Sequence, residues 1–229
     1  MFCPELTILI DLALHASTCG VHVSYEPGVA RVESEALSEF NFVVASEAEV
    51  PHALRANTQV PVWFEGGCAD PKKFGGYTCV QFVGMSASAK IDSRLQPLPY
   101  QWIPCHLSGS ELDASVVLQA RRYTWTELRA RQRLALENTF HSWIVELFAE
   151  PIATVSVFLT EAGEAALFDL WVAPHRRGLG IGESVAYRAV SEVFRMGAQR
   201  CLLQAVPKAV SLFEGIGFGR TTTLAMCRG

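Results

Sequence analysis

The sequence has few charged residues and no long basic run. Charged side chains make up 18% of the 229 residues, and the formal net charge is −4 with a pI near 5.9. A protein that grips a polyphosphate backbone needs a broad positive surface, which this composition does not provide. Nucleic acid is therefore not an expected partner. Half of the residues are hydrophobic, which is enough for one large core or two small ones.

Two further absences concern membranes and metals. No stretch approaches the roughly 18 apolar residues of a membrane-spanning helix. The apolar N-terminus is interrupted by Glu5 and Asp11 and has no preceding basic segment, so no secretory signal is predicted. The seven cysteines form no Cys-x-x-Cys pair, and their odd number cannot close into a full disulfide set. We therefore expect reduced thiols in the cytoplasm and no metal site.

A break in the pattern at residues 91–99, where Pro97 and Pro99 stand among polar residues, predicts a linker. We accordingly predict an N-terminal domain over residues 1–96 and a second domain over residues 97–229. The first is expected to be a smaller α/β or α+β unit of unknown function, with strands at 21–26, 40–45, 60–64 and 77–85 and helices at 6–14 and 47–57. Its Phe64-Glu65-Gly66 recurs as Phe213-Glu214-Gly215, so a degenerate duplicate of the second domain is an open alternative.

The second domain is predicted to be of the α/β class, with a mixed β-sheet flanked by helices. Two helices follow the capping signals that begin at Ser110 and Thr124, and a long amphipathic helix runs from Gly180 to Met196. The predicted strands are 100–104, 140–148, 152–159, 166–172, 201–206 and 220–226, with a short helix at 208–214.

The segment after the strand 166–172 carries the chemical signal. Glycines at 178, 180 and 182 lead directly into the long helix. Because glycine lacks a Cβ, such a loop can wrap around a phosphate with its amides pointing inward, and the helix N-terminus adds unpaired N–H groups. Arg176 and Arg177 add positive charge at the same place. The combination suits a pyrophosphate.

The glycine spacing excludes two common phosphate loops. A dinucleotide fingerprint that starts at Gly178 would need glycine where Glu183 stands, and an acidic residue on the strand CLLQAV, which has none. A Walker loop would need Gly-Lys-Ser or Gly-Lys-Thr, and neither follows. For the loop alone, an ordinary tight turn with a helix cap is the structural alternative.

The pattern that remains, Arg177-x-x-Gly180-x-Gly182, closely resembles the pyrophosphate loop of the GNAT superfamily of N-acetyltransferases. The preceding Val172-Ala-Pro174 is similar to that family's strand exit. The segment from Ala209 to Phe218 resembles its Ala-x-x-Leu-Tyr-Glu-x-x-Gly-Phe helix end. Both motifs stand in the expected order of elements, which is more specific than either alone. The resemblance implies a GNAT fold for residues 97–229.

The resemblance also implies a reaction. In such enzymes acetyl-CoA is the acyl donor, and an amine on a small molecule or peptide attacks the thioester directly. A backbone amide of the strand 170–172 would polarise the carbonyl, and the pantetheine arm would lie in the gap beside the strand 201–206. The N-terminal domain would shape the acceptor site or a homodimer interface. The implied coenzyme-binding residues are Leu170, Trp171, Val172, Arg177, Gly178, Leu179, Gly180, Ile181, Gly182 and Phe213.

Groups for proton transfer are missing from their usual places. Many family members carry a tyrosine where this chain has Phe213, and some carry a glutamate at the position of Phe168; a phenyl ring can neither give nor take a proton. The nearest carboxylate, Asp169, is the candidate catalytic side chain, although strand alternation would point it away from the face shared by Phe168 and Leu170. Three functions stay open: an amine N-acetyltransferase, a module that binds acyl-CoA with little or no catalysis, and a protein whose N-terminal unit is an interaction domain while the coenzyme site is structural.

Overall fold

The computed structural model describes residues 2–35, 37, 40–56, 60–66, 77–88, 100–104, 124–134, 136 and 139–228. The predicted linker at 91–99 and the predicted helix that begins at Ser110 lie outside these residues. The fold is a mixed α/β arrangement with a large β-sheet flanked by helices, as predicted.

The chain divides into two compact units that are interleaved in sequence. The first unit comprises Met1–Met85, Gln204–Val210 and Arg220–Gly229. The second comprises Ser86–Leu203 and Ser211–Gly219. The last strand therefore returns to the unit in which the chain begins.

The first unit is a sheet with two helices, α1 (Pro4–His15) and α2 (Val50–Ala56). The predicted strands and helices of this region are confirmed, but β2 was not predicted. It follows β1 through a turn in which Gly28 has a φ of 72°. Buried side chains from the strands and α2 form the core, among them Val43, Leu54 and Phe64. The strands, in the spatial order β1-β2-β3-β4-β11-β5, are β1 (Val21–Glu26), β2 (Val29–Ser34), β3 (Phe42–Ala45), β4 (Val62–Glu65), most of β11 (Gly219–Arg228) and most of β5 (Thr78–Ser88).

A disulfide links neighbouring strands of this unit and corrects the expectation of reduced thiols. Cys79 on β5 is bonded to Cys227 on β11, with 4.1 Å between their Cα atoms. The two residues are 148 positions apart, so only the pairing of their strands brings them together. Cys3, Cys19 and Cys201 are free thiols. Cys68 and Cys105 lie outside the described residues.

The second unit contains the strands that carry the predicted site. β6 to β9 pair antiparallel in chain order, and β10 pairs parallel to β9. Each matches a strand predicted from the sequence, with bounds that differ by two residues at most. The strands are β6 (Gln101–Pro104), β7 (Phe140–Leu147), β8 (Glu150–Leu159), β9 (Glu164–Val172) and most of β10 (Arg200–Ala205). The helices described in this unit are α3 (Trp125–Leu134), α4 (Ile181–Arg195) and most of α5 (Val210–Gly215).

None of the helices within the described ranges combines the length and the apolar character that crossing a bilayer requires.

The tripeptide echo that suggested duplication falls on unlike structures. Phe64 and Glu65 belong to strand β4, whereas Phe213 and Glu214 belong to helix α5. The shared letters therefore do not reflect a shared local conformation.

Candidate active site

Strands β9 and β10 pair only over their first residues. The register joins Glu164, Ala165 and Ala166 of β9 to Arg200, Cys201 and Leu202 of β10, and these described strands show no pairing beyond that point. Burial changes at nearly the same place, because residues 165–167 are buried and residues 168–172 are half-exposed. β9 thus separates from β10 and opens a gap, which lies where the pantetheine arm is predicted.

A bulge interrupts β9 beside this gap. Asp169 has a φ of 57°, and the β8–β9 register shifts between Thr154 and Ser156. Phe168 lies opposite Ser156 and Trp171 lies opposite Thr154, so Phe168 and Trp171 share a face across one extra residue. The alternation argument that paired Phe168 with Leu170 therefore does not hold.

The bulge has a consequence for the backbone. A residue inserted into one strand interrupts the regular ladder at that point. The Thr154 hydroxyl donates to the Asp169 carbonyl oxygen at 3.4 Å, which gives that carbonyl a side-chain contact. The Asp169 side chain itself is half-exposed. The bulge thus interrupts the regular pairing of β9 with β8 next to the gap.

The loop after β9 begins with an anchor and continues into a glycine-rich turn. The Ala173 amide donates to the Ile152 carbonyl oxygen at 2.8 Å, and residues Pro174–Arg176 form a single 3-10 turn. Gly178 and Gly180 have φ values of 78° and 75°, and a Cβ at either would meet no atom within 4 Å. Glycine is needed at both for the backbone conformation, and the space beside each is open.

Gly182 serves a different purpose. A Cβ there would come within 3.2 Å of the Leu212 side chain, so its absence permits close packing between α4 and the segment that contains α5. Leu179 is 63% exposed and Ile181 is 3% exposed. Of the hydrophobic residues predicted in the loop, one therefore faces solvent and the other belongs to the core.

The N-terminus of α4 is open to an anion. Its N-cap residue, Gly180, has no side chain to accept a hydrogen bond from the first turn. The first N–H groups of a helix have no acceptor within it, and the helix dipole adds partial positive charge at that end. Phosphate groups commonly bind such ends through these donors.

The two loop arginines have different partners. The Arg177 Nε donates to the Val172 carbonyl oxygen at 3.0 Å. Arg176 instead donates from Nη2 to Oε2 of Glu150 at 2.6 Å, and His175 Nε2 lies 2.8 Å from Oε1 of the same carboxylate. The hydrogen bond from Arg176, followed by that from His175, lowers the pKa of Glu150 below its usual value. The charge of Arg176, which we assigned to the phosphate, is thus compensated within the protein.

Glu150 was missed in the sequence. The role of Glu150 follows from the register of β8 against β9, in which Ala153 lies opposite Val172. Extending that register by three residues places Glu150 opposite His175. Pairing registers are not encoded in a local motif, so the contact became visible only in the structure.

Two further residues bear on proton and acyl transfer. Phe213 is 6% exposed, and its ring packs edge-on against Phe218 with 5.8 Å between centroids. Cys201 is buried, and burial raises the pKa of its thiol to about 12. It is therefore protonated at neutral pH and is not a nucleophile. In the described part of the chain, no group of three or more His, Cys, Asp or Glu side chains could hold a metal ion.

The predicted coenzyme-binding residues all belong to the second unit. The structure brings residues 170–172 and 177–182 together where β9 leaves the sheet and α4 begins. Phe213 lies on α5, in a buried position.

Comparison with known proteins defines the class of this region. Residues 112–218 match the model of the Acetyltransferase (GNAT) family, so this part of the chain is a GNAT acetyltransferase domain. The resemblance predicted from the two sequence motifs is confirmed.

Among individual proteins, the chain is similar to serotonin N-acetyltransferase 2, chloroplastic, from Oryza sativa subsp. japonica. The two are 29% identical over 92 residues, which is 38% of this chain and 46% of that protein. The match thus spans about half the length of this relative.

Solved structures resemble the chain in fold. The GCN5-related N-acetyltransferase from Kribbella flavida has a TM-score of 0.66 at 14% identity, covering 99% of this chain and 96% of its own. The GCN5-related N-acetyltransferase-like protein from Streptococcus suis has a TM-score of 0.60 at 10% identity, covering 98% of both chains. At such identities the likeness concerns the fold alone. It extends over residues before position 97 as well.

Proposed function

We propose that this protein transfers the acetyl group of acetyl-CoA to an amine acceptor. The observation that carries the proposal is the placement of the glycine loop at the open end of the gap between β9 and β10. A diphosphate requires several N–H donors and positive charge, which the N-terminus of α4 and Arg177 supply. A pantetheine arm can lie between strands that separate, and β9 and β10 pair only as far as Ala166 and Leu202.

The protein's part in the reaction is mainly electrostatic. As the acceptor nitrogen bonds to the acetyl carbon, the carbon–sulfur bond breaks, the amine loses a proton and the departing thiolate gains one. A backbone N–H group of the strand 170–172 would donate to the carbonyl oxygen as it becomes negative. Preorganised donors of this kind contribute roughly 3–4 kcal/mol each to lowering the barrier. Asp169 is the nearest carboxylate and our candidate for receiving the proton of the amine.

Direct attack is favoured over a covalent acyl-enzyme on Cys201. Cys201 lies on β10 where β9 and β10 still pair, and its raised pKa keeps it neutral. An amine acceptor is supported by the GNAT domain and by the relative named for N-acetylation of serotonin. We place no narrower limit on the acceptor than an amine on a small molecule or peptide.

One observation favours a second candidate, a module that binds acyl-CoA without turning it over. Phe168 and Phe213 occupy positions where family members often carry ionisable groups, and Phe213 is buried against another phenyl ring. Loss of a positioned acid or base typically costs about 10² to 10⁴ in rate. Both candidates require the same loop, so binding alone does not distinguish them.

The test is to incubate the full chain with acetyl-CoA and a panel of arylalkylamines, polyamines, amino acids and peptides. Release of the CoA thiol and the mass of the acetylated amine are both measured. We expect thiol release that depends on one class of amine. Acetyl-CoA binding at micromolar concentrations with no product on any amine would instead establish the binding module.

Substituting Phe213→Tyr addresses the missing acid. If the tyrosine hydroxyl can protonate the thiolate, we expect kcat to rise by up to about 10²-fold. Phe218→Tyr is the matched control, since it adds the same hydroxyl to the neighbouring buried ring. An active enzyme whose kcat is unchanged in both variants would show that water or another group protonates the thiolate.

A further inference from the structure

The tip of the β7–β8 hairpin meets the phosphate loop through a single carboxylate. Phe148 and Ala149 form the turn with φ values of 53° and 62°, and Glu150 is the first residue of β8 after it. Both oxygens of Glu150 are occupied, one by Arg176 and the other by His175. These two contacts tie the last two residues of the 3-10 turn Pro174–Arg176 to the neighbouring strand.

A carboxylate here is unexpected on electrostatic grounds. The adjoining loop presents N–H donors and positive charge for an anion, and a negative side chain close by repels that anion. It also neutralises Arg176, which would otherwise add to the attraction. Its presence is explained if the geometry of the loop matters more for binding than the net charge beside it.

The rest of the loop supports this explanation. After Arg176 the chain continues through Gly178 and Gly180, both at positive φ and with no atom near their Cβ positions. Glycines with no packing neighbours do not hold a loop in one conformation, because they have the greatest freedom to lose. The hydrogen bond from the Ala173 amide to the Ile152 carbonyl oxygen fixes the start of the loop, and the Glu150 contacts fix the 3-10 turn that follows.

We propose that Glu150 is a positioning residue that holds the phosphate loop in its binding conformation through Arg176 and His175. Arg177, whose Nη groups are not engaged by these contacts, is the arginine that meets the diphosphate. This inference rests on the proposed function, since it concerns the loop that binds acetyl-CoA.

The direction in which one substitution changes the Kd for coenzyme A tests the proposal. Glu150→Gln removes the negative charge but keeps the size of the side chain. A purely electrostatic view expects coenzyme A to bind more tightly to this variant. The positioning role expects the Kd for coenzyme A, measured by titration calorimetry on the full chain, to rise about three- to tenfold, the size typical of a partly exposed charged contact. With an active amine, KM for acetyl-CoA should rise while kcat at saturation stays constant.

Three variants complete the design. Glu161→Gln removes an equal charge from the turn at the far end of β8 and should leave the Kd unchanged. Arg176→Gln breaks the same contact from the other side, so it gives the same readout even if Glu150→Gln folds poorly. In the double variant the two losses should not add, because both act through one contact.

Each outcome has a definite meaning. Wild-type protein that does not bind coenzyme A refutes the proposed function. Wild-type binding with an unchanged or lower Kd in Glu150→Gln refutes only the positioning role. Losses that add in the double variant would assign Arg176 a direct phosphate contact and likewise overturn the proposal.

Discussion

Replacing Gly180 by alanine tests the loop most directly. Gly180 has a φ of 75°, and a Cβ there would meet no atom within 4 Å, so the substitution adds backbone strain without a steric clash. For an L-residue the left-handed conformation costs roughly 1–2 kcal/mol. Since no side chain caps α4, the ligand-free loop can relax to avoid this strain. The cost then appears when coenzyme A binds and requires the original conformation.

At about 1.4 kcal/mol per tenfold change, that cost raises the Kd for coenzyme A by about 5- to 30-fold. Titration calorimetry measures the Kd, and thermal unfolding measures the Tm of the same sample. Gly197→Ala is the matched control: Gly197 has a φ of 105° and an equally open Cβ position, but it follows the other end of α4. A helix of this length separates the two sites by about 22 Å.

We expect Gly197→Ala to lower the Tm and to leave the Kd unchanged. Two results would refute the reasoning. If Gly180→Ala binds coenzyme A as tightly as the wild type, the loop is not the binding element. If Gly197→Ala weakens binding equally, the effect of both substitutions comes from a less stable helix.

Two further predictions concern the cysteines. Cys79→Ser, or reduction of the wild type, should lower the Tm, because the disulfide closes a loop of 148 residues. The chain-entropy model sets an upper bound near 5 kcal/mol on the stabilisation from a loop of this order. Cys3→Ser is the control and should leave the Tm unchanged in the same calorimetric scan, whereas an unchanged Tm on reduction of the wild type would show that the bond is not formed. Burial raises the pKa of Cys3 to about 11 and that of Cys201 to about 12. At pH 8 iodoacetamide should therefore alkylate Cys3 about 10²-fold and Cys201 about 10³-fold more slowly than an exposed thiol, and both rates should rise about tenfold per pH unit. Peptide mass mapping that finds Cys201 labelled at an ordinary rate would contradict its burial.

The coenzyme loop could be predicted because its signal is local. The strand up to Val172, the arginines and the spaced glycines follow one another in the chain. Gly178 and Gly180 are required by the backbone conformation that they adopt. The positive φ of Gly178 and Gly180 is what the glycine spacing anticipates. The order of strands and helices in the second unit was predictable for the same reason, since hydrophobic periodicity is read over a few consecutive residues.

Three of the features that were missed depend on which strands pair and in what register. The bulge at Asp169 places a non-glycine residue at positive φ. Aspartate tolerates this conformation, but an aspartate in a sequence does not by itself predict it. Glu150 acquires its role only because β8 lies beside β9 in one register. The Cys79–Cys227 bond likewise requires β5 and β11 to be neighbours.

Strand β2 was missed for a different reason. Its sequence, VARVES, alternates in the manner of a strand, with Ala30 and Val32 buried and the charged Arg31 and Glu33 following each of them. The Pro27-Gly28 dipeptide before it is a recognised turn signal. The information was therefore present locally, and the strand could have been predicted.

The interleaving of the two units limits how the chain can be divided. Strand β11 pairs antiparallel with β4, joining Leu224–Cys227 to residues 62–65, although the two segments lie near opposite ends of the sequence. A cut in the region of residues 91–99 would deprive the N-terminal fragment of the strand that completes its sheet. The C-terminal fragment would carry that strand with an exposed edge, which invites aggregation. Domain-swap and split-protein designs on this fold should therefore keep the final ten residues with the N-terminal sheet.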